Sequence, residues 1–319
     1  MSTKPSTRRI SPLRAALGVT ATLALLGGLA SRVEVSEVGR VLTGVDPALT
    51  AGGLAIYFVL QAVRALRFRS LAPTASTRLL LGAHLVHALL LRVMPFRTGE
   101  LGFAWLMRRH GGGTMSQSLV GVLLVRVLDL TTILGLFAVA LLVFGGAPAP
   151  WLLGAAGLGA LAPLGVRPLF RLAGHVVARA ATLGDRLAGP AAALERAFVE
   201  AAALPARTLA GLHAITLVQW VVNFGLLWVM LAAMGVEATL AQAVLGGTGS
   251  VFGALVPVAG VGSFGPLEAG WSLGFAAVGL EAETAIASAF GFSVISFGYA
   301  LATAATGWVM LPARNPSND

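Results

Sequence analysis

The chain of 319 residues contains 57% hydrophobic and only 11% charged residues, and its mean hydropathy is +0.86. So little charge cannot cover a soluble fold, which carries roughly 25% charged residues, and a disordered chain needs the opposite balance. The net charge of +9 does not indicate nucleic-acid binding, because the arginines flank apolar runs instead of clustering with aromatic residues on a polar surface. The sequence therefore predicts a polytopic membrane protein.

The first membrane half is predicted over 13–166, after an N-terminal tail at 1–12. Its first apolar run, 13–30, is interpreted as a retained span, with a cleaved signal peptide as the competing interpretation. The run at 79–94 is short and is followed by Pro95 and further arginines, so we expect a re-entrant hairpin there. Three more full spans are predicted at 48–66, 118–144 and 151–166.

A cytoplasmic amphipathic connector is predicted over 167–208, broken at Pro190 and Pro205. The second membrane half, 209–311, precedes a C-terminal tail at 312–319. We expect two full spans in this half, at 209–234 and 284–311, and a re-entrant pair at 241–256 and 267–280. The fold class is thus an all-α bundle of about six spans and two re-entrant hairpins. We expect the protein in the inner (plasma) membrane. The distribution of arginine predicts that both termini are cytoplasmic.

A pseudo-repeat relates the two halves. Each half contains a short apolar segment, an interruption rich in Pro or Gly, and a Glu at the start of the next segment, at Pro95–Glu100 and Pro257–Glu268. Short, interrupted segments in corresponding places of two inverted halves indicate a transporter's binding site. We therefore expect both interruptions to face one wet cavity.

The second interruption contains Gly260, Gly262, Ser263 and Gly265, which match GxGxxG. A dinucleotide site requires a βαβ unit around this motif, and apolar membrane segments flank it instead. Free amides at the start of the following helix favour a lipid phosphate, and Glu268 in its first turn suits the helix dipole. A loop for helix packing is the alternative, and it stays open.

Charged residues in the first half suggest where a head group binds. Because an arginine at membrane depth needs a cavity or a partner, we predict that Arg97 contacts the head group and that Glu100 orients it. A snorkelling interfacial arginine is the alternative. Arg126 and Asp129 share one helix face at i, i+3, either as a structural ion pair or as part of the translocation path.

Other residues receive simpler interpretations. His84, His87 and Arg92 are candidates for lining the cavity, and their spacing does not favour a metal site. Gly249 and Gly253, and the cluster Gly154, Gly157 and Gly159, are interpreted as close-packing surfaces. We find no motif for enzyme chemistry, so neither catalysis nor a cofactor is expected.

Three motifs together carry a family resemblance. Pro95-Phe-Arg97-Thr-Gly99-Glu100, then Ser116-x-Ser118 with Val125-Arg126-Val-Leu-Asp129, then Pro257…Gly262…Gly265-Pro-Leu-Glu268 resemble the membrane domain of lysylphosphatidylglycerol synthases. The resemblance covers about residues 10–311. Val125 and Leu267 depart from the polar residues that the family usually has at these positions. Eight residues follow Leu311, so we expect a stand-alone member without the aminoacyl-transferase domain.

The resemblance implies a flippase-like fold around a cavity for an anionic or polyprenyl-linked head group. We therefore expect a lipid translocase whose partners are membrane lipids and which does not bind nucleic acid. Self-association into a homo-oligomer is left open. The alternatives are an ion-coupled transporter of small solutes, or an accessory protein or enzyme in the assembly of glycolipids or cell-envelope lipids.

Overall fold

The part of the chain that the computed structural model describes comprises residues 43–94, 98–144, 149–181, 185–255 and 265–312. It is helical, with no strand among these residues, so the all-α prediction is confirmed for them. The helices in chain order are α1 (Pro47–Arg69), α2 (Thr77–Val93), α3 (Gly99–Arg109), α4 (Met115–Phe144), α5 (Ala149–Ala181), α6 (Asp185–Ala202), α7 (Ala206–Ala233), α8 (Leu240–Leu255), α9 (Pro266–Ala277) and α10 (Ala282–Met310).

Four of the described helices are long and apolar enough to cross a membrane, namely α1, α4, α7 and α10. The shortest of them, α1, has 23 residues and is about 35 Å long, against roughly 30 Å of hydrocarbon. They correspond to four of the six predicted full spans. The predicted span at 13–30 lies outside the described residues, and the one at 151–166 lies within α5.

Two pairs of shorter helices lie at the predicted Pro- and Gly-rich interruptions. In the first half, α2 has 17 residues and α3 has 11; in the second half, α8 has 16 and α9 has 12. Helix α2 ends immediately before Pro95, since the residue that precedes a proline disfavours helical backbone. Helix α9 begins with Pro266. Proline suits this position, because the N–H that it lacks would have no intrahelical acceptor at the start of a helix.

Glycines let α8 and α9 approach each other at backbone distance. A Cβ atom added at Gly249 would collide with the carbonyl oxygen of Gly270, and one added at Gly253 would collide with that of Pro266. The close-packing prediction is confirmed for these two glycines. It is wrong for Gly154 and Gly157, where an added Cβ meets open space.

The region of the predicted connector is largely helical. Helix α5 continues through the predicted boundary at 166, and α6 contains Pro190, so the predicted break at Pro190 is wrong. A proline near the start of a helix removes only one intrahelical hydrogen bond, and that loss is tolerated when packing holds the helix. Ala197 and Phe198 of α6 supply this packing, since they are buried against α4 and α5. The break at Pro205 is confirmed, because α7 begins directly after it.

Candidate functional site

A cavity of about 510 Å³ lies among eight helices of the bundle. This volume is typical of ligand pockets, which span roughly 300–1,000 Å³. Helices α1 to α4 supply its ionisable side chains, whereas α7 to α10 supply uncharged lining residues. The ionisable lining residues are Tyr57, Arg64, Arg92, Glu100, Arg126 and Asp129.

The cavity lies at mid-height of the membrane-crossing helices. Arg126 and Asp129 are near the middle of the 30-residue α4, and Ser296 is near the middle of the 29-residue α10. The charges of Arg126 and Asp129 are therefore far from either end of α4. Transporters commonly bind their substrates at this depth.

Ion pairs along one wall of the cavity join α1, α3 and α4. Arg126 donates to Glu100 Oε1 through Nε at 3.1 Å and through Nη2 at 2.9 Å. Its Nη1 lies 3.7 Å from Asp129 Oδ2, so the predicted i, i+3 pair is present but loose. Asp129 is held more closely by Arg67, at 2.5 Å, and by the indole N–H of Trp220, at 2.9 Å.

The two tighter ion pairs differ in their access to water. The side chains of Arg67 and Asp129 are 6% and 7% exposed, whereas those of Arg126 and Glu100 are 34% and 26% exposed. A buried pair resists separation, because removing either partner leaves an uncompensated charge. The Arg67–Asp129 pair therefore fixes α1 against α4, while the Arg126–Glu100 pair remains accessible from the cavity.

A second polar cluster lies on α1 and α2. The phenol of Tyr57 lies beside both the Arg92 guanidinium and the Gln61 side chain. Arg64 Nη1 donates to Gln61 Oε1 at 3.4 Å. Among the described residues, no carboxylate oxygen lies within 4.0 Å of Arg64 or Arg92.

Glu268 of α9 lies beside the same cavity and is 1% exposed. One carboxylate oxygen accepts the backbone N–H of Gly265 at 2.7 Å, and the other accepts the hydroxyl of Ser293. The adjacent Pro266 and Leu267 line the cavity together with Glu100 of the first half. The described ends of both predicted interruptions therefore meet at one cavity.

Several predicted site residues lie outside the described part of the chain, namely Arg97, Gly260, Gly262 and Ser263. The predicted partner of Arg97, Glu100, is bonded to Arg126. Arg92 lines the cavity, as expected, but His84 and His87 do not. Their rings pack on Phe103 of α3 at centroid distances of 4.8 and 4.9 Å, so this face of α2 is turned away from the cavity.

Sequence reasoning did not single out Tyr57, Arg64 or Arg67 as site residues. A usable signal was present, because Tyr57, Leu60 and Arg64 recur at helical spacing on one face of an apolar helix. Trp220 was also missed, since an indole in an apolar run gives no indication that it bonds to a carboxylate.

The comparison with protein families agrees with this geometry. The family model described as "Lysylphosphatidylglycerol synthase TM region" matches residues 15–304, which is most of the chain. No curated protein and no solved structure gives a match. The chain is a membrane-embedded protein, and it belongs to the family of the lysylphosphatidylglycerol synthase transmembrane region.

Proposed function

We propose that this protein is a lipid translocase that moves a phospholipid or polyprenyl-linked head group between the two leaflets. The observation that carries the proposal is the charged cavity at mid-height of helices that cross the membrane. One charged side chain at the bilayer centre costs about 2.5–3.5 kcal/mol by insertion scales, so several at one depth indicate a polar path. The family's name refers to a phospholipid, which supports a lipid as the substrate class.

The proposed architecture has two inverted halves, each with a re-entrant hairpin. The similar lengths of the pairs α2–α3 and α8–α9 support it, as does the glutamate in the first turn of α3 and of α9. In this arrangement each hairpin enters and leaves on one side of the plasma membrane, the first on the cytoplasmic side and the second on the external side, and both chain termini are cytoplasmic. The partners are membrane lipids, and transport proceeds without catalysis or nucleic acid.

The accessible ion pair suggests how a head group moves through the cavity. Nε and Nη2 of Arg126 both donate to Glu100 Oε1, and the oxygens of a phosphate could accept from the same two donors. Exchange of one partner for the other would keep the Arg126 guanidinium paired while the head group passes. The acyl or prenyl chains would stay in the surrounding lipid.

A tryptophan placed in the cavity tests this proposal. Asn223 of α7 lines the cavity, whereas Val221 on the same helix is 57% exposed on the outer surface. We expect Asn223→Trp to slow leaflet exchange about tenfold or more, because the indole occupies the path. Val221→Trp is the matched control, since an exposed tryptophan already occurs on α7 at Trp228.

The measurement is exchange of a fluorescent phospholipid in proteoliposomes, read as the fraction that dithionite bleaches over time. Equal exchange by wild type, Asn223→Trp and protein-free vesicles would exclude translocation of that phospholipid, and a fluorescent phosphatidic acid or polyprenyl phosphate in the same assay tests the other lipid classes. Uptake of a labelled solute without lipid exchange would favour a secondary transporter. Turnover of a lipid to a new chemical species would instead favour an enzyme of envelope-lipid assembly.

A further inference from the structure

Two arginines of the cavity have no carboxylate oxygen within 4.0 Å among the residues that the structure describes. Arg64 of α1 and Arg92 of α2 line the cavity on either side of Tyr57. The phenol of Tyr57 lies beside Arg92, and Arg64 Nη1 donates to Gln61 Oε1 at 3.4 Å. The groups beside both guanidiniums are therefore neutral, and the carboxylates of Asp129 and Glu268 act on them only from beyond 4.0 Å.

The acidic groups around the cavity are engaged elsewhere. Asp129 binds Arg67, and Glu100 binds Arg126, so this wall is neutral as a whole. Glu268 is near enough to interact electrostatically with Arg92, but its oxygens accept bonds from Gly265 and Ser293. The described lining residues of α7, α8, α9 and α10 include no charged side chain.

Two like charges at membrane depth are costly unless an anion lies between them. Guanidinium groups bind phosphate through paired N–H donors, and a phenol adds another donor. Three donor groups converge here, which matches the three non-bridging oxygens of a terminal phosphate better than the two oxygens of a carboxylate or a phosphodiester.

We propose that Arg64, Arg92 and Tyr57 form a subsite for a terminal phosphate group, with the phosphomonoester or diphosphate end of a lipid as the ligand class. This inference rests on the proposed lipid transport, and it narrows the substrate from phospholipids in general to lipids that end in phosphate. Inorganic phosphate offers the same chemistry without a lipid tail.

Binding to the purified full-length protein in detergent tests the subsite separately from transport. The probes are dihexanoyl phosphatidic acid, dihexanoyl phosphatidylglycerol and inorganic phosphate, and the readout is the Kd from isothermal titration calorimetry. We expect phosphatidic acid to bind more tightly than the other two probes. Arg64→Gln and Arg92→Gln should each weaken its binding about tenfold or more. Arg171→Gln is the matched control, because Arg171 is exposed on α5 and far from the cavity lining.

Arg64→Lys and Arg92→Lys serve if either glutamine variant fails to fold. They keep the charge but lose the bidentate geometry, so binding should fall to an intermediate level. Wild-type affinity in all arginine variants would overturn the subsite, as would equal affinity for phosphatidic acid and phosphatidylglycerol. Tighter binding of inorganic phosphate than of phosphatidic acid would overturn the lipid as ligand. Intact phosphatidic acid binding in a protein that exchanges no lipid would refute only the proposed function.

Discussion

Replacing Asp129 by Asn is the sharpest test of how the charged residues hold the bundle together. Asp129 joins α4 to Arg67 of α1 at 2.5 Å and accepts the indole N–H of Trp220 at 2.9 Å. Asparagine keeps the size of the side chain and an oxygen for Trp220, so the substitution removes chiefly the charge. Arg67 would retain a 3.3 Å hydrogen bond to Thr216, which is neutral.

The expected loss follows from burial. Removing one partner of a buried ion pair costs about 3–5 kcal/mol, because the remaining charge stays away from water. Both side chains are below 8% exposure, so this estimate applies to Asp129→Asn. Glu100→Gln in the more exposed pair with Arg126 should cost only about 1 kcal/mol. The double variant Arg67→Met/Asp129→Asn should recover much of the lost stability, since neither position of the pair then carries a charge.

The assay is unfolding in mixed detergent micelles, followed by the intrinsic fluorescence of the six tryptophans. The free energy of unfolding is compared among the wild type, both single variants of the buried pair, their double variant and Glu100→Gln. A loss below about 1 kcal/mol for Asp129→Asn would refute the reasoning. So would a double variant whose loss equals the sum of the two single losses, because the residues would then not be coupled.

Two further substitutions test the packing of the bundle. Gly249→Ala should lower the unfolding free energy by about 2 kcal/mol or more, because the added methyl group would collide with the carbonyl oxygen of Gly270. Gly211→Ala is the control: this position on α7 faces open space, so the substitution should be neutral or stabilise by up to about 1 kcal/mol. Unfolding in the same micelles measures both, and equal effects would contradict the close contact. Trp220→Phe removes the indole donor to Asp129 and should cost about 1.5–3 kcal/mol; a cost no larger than that of an exposed tryptophan would show that this bond is not made.

Much of the helical layout could be predicted locally. Helix α2 ends at Val93, shortly before Pro95 in the sequence, and α7 begins directly after Pro205, as the missing N–H of proline and its steric effect on the preceding residue predict. Pro190 contradicts the same rule, because burial of neighbouring residues outweighs the single bond that it removes. Local propensity is therefore informative at the ends of apolar helices and weaker where packing supports the backbone.

The candidate site was only partly predictable. The spacing of Arg126 and Asp129 placed both on one face of α4, which is a local property of the helix. Their closer partners, Glu100 and Arg67, are 26 and 62 residues away in the chain. No periodicity relates such distant positions, so the sequence indicated the charged residues without indicating their pairing.

By itself, the sequence determined that the protein is helical and membrane-embedded, and it located most of the interruptions in its apolar segments. These properties depend on transfer free energies and backbone preferences, which each residue contributes largely independently of its distant neighbours. The tertiary structure decided that Arg67 holds Asp129, that His84 and His87 pack away from the cavity, and that Arg64 and Arg92 line it with no carboxylate within 4.0 Å in the described part of the chain. Such contacts depend on how the helices are rotated and packed against one another, because each helix face meets its partner only in the assembled bundle.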